Sequence, residues 1–134
     1  MANALYDHGR QSFLEGGLAW LTDTIKVALV TSSYTPNLSS HQFLSDVGAN
    51  TVGTDQTLAS KTSTAGVANA ANITFPTVTT GSTVNYLLIY KDTGVAATSP
   101  LIALIDTATG LPVSTSGGDI NVVWDTGANK IFKL

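Results

Sequence analysis

Val84-Asn85-Tyr86-Leu87-Leu88-Ile89-Tyr90-Lys91 decides the fold of this chain. Side chains alternate across a strand with a period of two, which puts Val84, Tyr86, Leu88 and Tyr90 on one face and Leu87 and Ile89 on the other. A run that is apolar on both faces and stops at the turn signal Asp92-Thr93-Gly94 belongs inside a sheet. Upstream, Thr24–Thr31 follows the same rule, with Ile25, Val27 and Leu29 alternating with Lys26, Ala28 and Val30, and it too reads as a central strand. Downstream, Leu101–Ile105, Ile120–Trp124 and Lys130–Leu134 extend the set. Asn72–Thr79 carries Ile73, Phe75 and Val78, and its Pro76 pushes that strand to an edge or a bulge. The breaks are turn chemistry: Asp92-Thr93-Gly94, Thr109-Gly110, Gly117-Gly118-Asp119 and Asp125-Thr126-Gly127, where Asp bonds backbone amides and Gly takes positive φ. Short strands joined by turns predict a mainly β protein, an antiparallel β-sandwich or a jelly-roll-like small barrel, and not a βαβ fold.

Helix is expected only early in the chain. Asn3–Glu15 suits a short helix with Asn3 as N-cap, Tyr6 and Phe13 seven apart on one face, and Gly16-Gly17 as the C-cap pair. Ser39-Ser40-His41-Gln42 resembles a capping box and predicts about two further turns through Phe43, Leu44 and Val47 to Gly48. From Ala49 onward no helical period survives. Thr51–Thr64 is polar, a strand or a long loop, with Leu58 its clearest core candidate. The whole chain, 1–134, reads as one domain, with 1–20 as a helical N-terminal segment, and because it ends within a strand pattern it reads as complete.

Composition narrows the function classes. Charged residues are 11% of the chain, against roughly 25% in ordinary globular domains. Net charge is −3 and the six basic residues are scattered, so nucleic acid is not an expected partner. Hydrophobic residues reach 43%, which excludes disorder. The surface must instead be built from Thr, Ser, Asn and Ala. Such a surface repels neighbours weakly and suits close protein packing, although Thr-richness is also the ordinary habit of small β-proteins. No apolar run approaches the roughly 20 residues of a membrane span. Residues 1–10 lack the order of a signal peptide. There are no cysteines. The expectation is a soluble protein without an export signal.

Motifs for chemistry are missing. His8 and His41 are the only histidines, and without Cys a zinc site would need both plus distant carboxylates. Glu15 is the only glutamate, which removes a Glu pair for glycoside hydrolysis. Neither a G-x-S-x-G elbow nor a phosphate-binding glycine loop occurs. The Asp-Thr-Gly triplets at Asp92 and Asp125 echo an aspartic-protease triplet but lie where hairpin turns are needed. Asp92, Asp106, Asp119 and Asp125 stand at strand ends and would offer calcium a cluster if the strands aligned, yet turn chemistry explains each singly. The reading is therefore no enzyme, no catalytic residue, no metal and no cofactor. One group stands apart from the strand pattern. Leu5, Tyr6, Phe13, Leu14 and Trp20 form an apolar set on an element too short to be stable alone, so they pack on their own sheet or serve as a protein-docking arm, and they are the candidate interaction residues.

Several stretches carry a resemblance. They are Ala2-Asn3-Ala4-Leu5-Tyr6-Asp7 with Gly9-Arg10 and Phe13-Leu14, then Asp23–Val30, then His41–Val47, then Ile89–Gly94, Leu104–Pro112, Gly117–Ile120 and Trp124–Phe132. Together they resemble a family of virion structural proteins of tailed bacteriophages, over nearly the whole chain and least distinctively in Thr51–Thr80. The resemblance implies a virion component, and more narrowly a capsid cement or decoration protein. It implies the major capsid protein as partner, a homo-oligomer (dimer or trimer) at symmetry axes, and a place on the capsid surface after synthesis in the host cytoplasm. It brings no catalytic motif. A tail, baseplate or head-fibre component is the neighbouring reading. A carbohydrate-binding module is a third, discriminated by whether Trp20 or Trp124 offers an exposed aromatic platform, and a hydrolase is the fourth.

Overall fold

The computed structural model describes residues 4–106, 111–124 and 130–133. Its centre is an antiparallel sheet in the order β1 (Ala4–Leu5), β8 (Leu101–Ile105), β7 (Thr83–Lys91), β2 (Ile25–Thr31) and β3 (Thr51–Thr57), with β9 (Val113–Ser114) joining the start of β7. The two sequences that predict central strands lie side by side, with Val27 opposite Ile89 and Leu29 opposite Leu87. Two small sheets pack over one face. In one, β10 (Ile120–Val122) pairs with β6 (Ile73–Phe75); in the other, β11 (Phe132–Lys133) and β4 (Thr62–Thr64) flank β5 (Val67–Asn69). The fold is mainly β, antiparallel and sandwich-like, as the turn-separated strands predict.

Both faces of the large sheet are covered at its centre, which is why β2, β7 and β8 are largely apolar, whereas β3 at the edge is polar. Ile25, Val27, Leu29, Leu87, Ile89, Ala103 and Ile105 meet Phe75, Val122, Trp124, Ile131 and Phe132 of the small sheets and their flanks. On the opposite face Ala28, Val30, Leu88, Tyr90, Leu101 and Leu104 are capped by Tyr6 and by Tyr34, Leu38, Leu44 and Val47 from the connection between β2 and β3. Val84 departs from its expected face. It packs with Leu87 and Ile89, because the register of β7 on β2 shifts between Val30 and Thr31, and a bulge of this kind moves a side chain to the other side of the sheet.

The helices are shorter than expected. Residues 4 and 5 pair with Leu104 and Ala103 as a strand, so α1 spans only Asp7–Leu14 with Tyr6 at its N-cap, and Asn3 lies outside the described residues. Its end is the expected one. Gly16, at φ +79°, and Gly17 donate to the carbonyls of Phe13 and Ser12 at 3.4 and 2.8 Å, the paired closure of a Schellman motif. The second helix shrinks to a 3-10 turn at Leu44–Asp46. Its amides are held by the Asp46 carboxylate, which accepts from the N–H groups of Gln42 and Phe43 at 2.7 and 3.0 Å, and Ser39 does not cap it. Asx and Ser side chains compete for such amides, and here the acid at the third position of the turn takes them. Thr51–Thr64 resolves into β3 and β4 with Leu58 buried between them, while β6 ends at Phe75 before Pro76. The turn signals at 109–110 and 125–127 lie outside the described residues.

Candidate protein-docking site

Helix α1 lies against the free side of β8, and glycine permits the approach. A Cβ on Gly9 would stand 2.7 Å from the Leu101 carbonyl oxygen. Tyr6 continues the β1 pairing by donating its N–H to the Ile102 carbonyl at 3.0 Å, and the chain then turns into the helix. This docking separates the five candidate interaction residues. Leu5 turns into the core between the sheets. Phe13 packs half-buried against it, its ring 6.3 Å from that of Phe132. Trp20 meets Phe132 edge-on at 5.2 Å and donates its indole N–H to the Thr62 carbonyl at 3.0 Å. Tyr6 goes to the opposite face. Leu14 alone remains in solvent, 89% exposed.

Leu5, Phe13 and Leu14 nevertheless share one feature. With Arg10 and Lys133 they line an open hollow of about 410 Å³ whose wall is mostly apolar. The helix supplies Arg10, Phe13 and Leu14 at the i, i+3 and i+4 positions of one face. Lys133 comes from β11, whose Phe132 points inward and whose next residue therefore points out. The Arg10 guanidinium is held at one edge by Asp7, 3.1 Å away. The sequence placed Leu5, Phe13 and Leu14 in an interaction set but missed the two cations, since nothing local to Lys133 relates it to the N-terminal helix.

The opposite face holds a second cluster. The Tyr6 and Tyr34 hydroxyls are 2.8 Å apart, and the Tyr34 hydroxyl meets His41 Nδ1 at 2.6 Å. Burial pushes both phenols above their ordinary range. Tyr86 packs edge-on to Tyr34 with ring centres 6.4 Å apart. A buried phenol that is harder to ionise than usual is a structural donor and acceptor, not a base.

Two of the acidic residues at strand ends, Asp92 and Asp119, are already bonded. Asp92 accepts from the Gly94 N–H at 2.9 Å and pairs with Lys26 at 3.2 Å, and these contacts hold its carboxyl below the usual carboxylate range. Asp119 accepts from the Thr77 N–H at 3.0 Å. Asp125 lies outside the described residues. Among the described residues, no three His, Asp or Glu side chains converge as a metal would require. Trp20 and Trp124 are both buried, and the Trp124 indole donates to the Ala71 carbonyl at 3.0 Å, so neither presents a face for a sugar ring. Among the described residues no helix is long and apolar enough to cross a membrane.

No protein-family model matches the chain, and no curated protein matches it either.

Proposed function

We propose that this chain is a structural protein of a tailed-bacteriophage virion, of the capsid cement or decoration type, which binds the major capsid protein on the outer face of the shell and works without catalysis. The observation that carries the reading is Leu14. Leu14, 89% exposed beside a mostly apolar hollow, supports a protein contact at this place on the surface. The rest of the architecture supports the same role. A sheet packed on both faces is a rigid platform, and symmetry-repeated sites on a shell multiply a modest affinity by valency. The sequence resemblance to phage virion proteins supplies the shell as the partner, and assembly as a dimer or trimer at its symmetry axes belongs to the same proposal.

The test is made on intact particles of the phage that encodes the chain. Mass spectrometry of purified particles should find the protein in copy numbers matched to the shell lattice, and electron microscopy should place its density on the capsid exterior. Density on the tail or baseplate would move it to another virion part. Absence from the particles would end the reading.

A further inference from the structure

We infer that the hollow beside α1 seats an apolar side chain flanked by carboxylates, presented by a segment of the partner protein; the identity of that partner as a shell protein rests on the function proposed above. The occupant follows from the lining. Among the described residues, Leu5, Phe13 and Leu14 give the hollow its apolar lining, Arg10 and Lys133 add two cations, and no acidic side chain lines it. The chain has six basic residues and a net charge of −3, so two cations among the five described lining residues run against the trend of the molecule. Arg10 spends one edge of its guanidinium on Asp7 and keeps further N–H donors for a second carboxylate. A second hollow, lined by Thr62, Thr64, Val67, Asn69 and Lys130, is smaller at about 240 Å³ and has one cation and no large apolar side chain except Val67. It lacks the lining for an apolar anchor.

The division of labour is physical. An apolar anchor in a desolvated pocket sets how long a complex lasts, and rim charges set how fast and how specifically it forms. Two experiments separate this inference from the proposed function. In the first, shells assembled without the protein are titrated with the full-length chain and with variants. Leu14→Asp should weaken binding at least about tenfold. Lys133→Glu should slow association and flatten its salt dependence, while Lys133→Arg behaves as the parent. Unchanged binding by Leu14→Asp would overturn the hollow and leave the virion reading standing. In the second, the amide signals of the chain are followed by NMR during titration with a blocked Asp-Phe-Glu peptide and with blocked Asn-Phe-Gln and Lys-Phe-Lys peptides. The acidic peptide should shift Leu5, Arg10, Phe13, Leu14 and Lys133, the neutral one several-fold more weakly, and the basic one least. Shifts elsewhere, no shifts, or a preference for the basic peptide would overturn the inference whatever the shells do. Shells that bind no parent chain would instead count against the virion reading alone.

Discussion

Tyr34 joins two polar atoms that have little water to turn to. Its hydroxyl meets the Tyr6 hydroxyl, on a residue with no exposed surface, and His41 Nδ1 on the other side. Replacing Tyr34 with Phe strips a partner from both, and a buried polar group left unsatisfied costs about 1–3 kcal/mol. Replacing Tyr6 with Phe removes the terminal member only, because Tyr34 keeps its hydrogen bond with His41, and the net value of one hydrogen bond is about 0.5–1.5 kcal/mol. Urea unfolding should therefore rank Tyr34→Phe as the more damaging of the two. The reverse order would show that the hydroxyl chain does not hold the connection between β2 and β3 against the sheet. This pair was invisible in the sequence, where Tyr6 belonged to a stripe with Phe13 and Tyr34 to no element. Only the turn from β1 into α1 brings the phenols together.

Helix α1 shows how an element can contradict its own propensity. Ala is about 1 kcal/mol better than Gly inside a helix, so Gly9→Ala looks favourable when the helix is taken alone. Against β8 the added methyl would sit 2.7 Å from a backbone oxygen, and overpacking of this kind costs about 1–3 kcal/mol. Thermal melting should show Gly9→Ala as destabilising; a raised melting temperature would mean that the helix does not pack this closely on β8. The 3-10 turn at Leu44–Asp46 adds a pH dependence. The amides of Phe43 and Gln42 hold the Asp46 carboxyl below its ordinary range. A carboxyl depressed in the folded state contributes stability that is present above its unfolded value of about 3.9 and is lost as pH falls through the lower folded value. Acid titration of Asp46→Asn should accordingly fall less steeply below about pH 4 than the parent, and equal slopes would remove Asp46 as a contributor. The strands whose both faces are apolar were legible, because burial on two sides leaves a continuous apolar run. The bulge that turns Val84 over was not, since a period of two carries no mark of an extra residue. The short strands Val67–Asn69 and Val113–Ser114 were not either, being too brief and too mixed to show a period. The amide of Gln42, which Ser39 was expected to cap, is held instead by Asp46, three residues beyond the N-cap Phe43.

The molecule as a whole asks whether its first turns belong to the core or to a partner. The sequence left both open, and the site was only half legible in it: Leu5, Phe13 and Leu14 carry the apolar signal, whereas Lys133 arrives through the β11 pairing with β5. In the fold, β8 is buried along its full length, and its outer side is closed by β1 and α1. Removing residues 1–16 would expose that strand as an apolar edge, the hazard that natural sheets cover or charge. It would also take Leu5 and Tyr6 from sites where burial of one large apolar side chain stabilises by roughly 1.5–3 kcal/mol. Set against a total stability of about 5–15 kcal/mol, the two losses are a large share, and the bared strand edge adds to them. The truncated chain should thus lose its cooperative thermal transition or melt far below the parent. Leu14→Asp should do the opposite. Its side chain is almost wholly in solvent, and surface changes of that sort stay within about 0.5 kcal/mol, so the variant should melt with the parent while binding shells poorly. A truncated chain that melts like the parent would place α1 outside the core and return the whole segment to the role of a docking arm. A Leu14→Asp variant that unfolds early would show that the exposed leucine is a structural contact and that the hollow beside it is already filled.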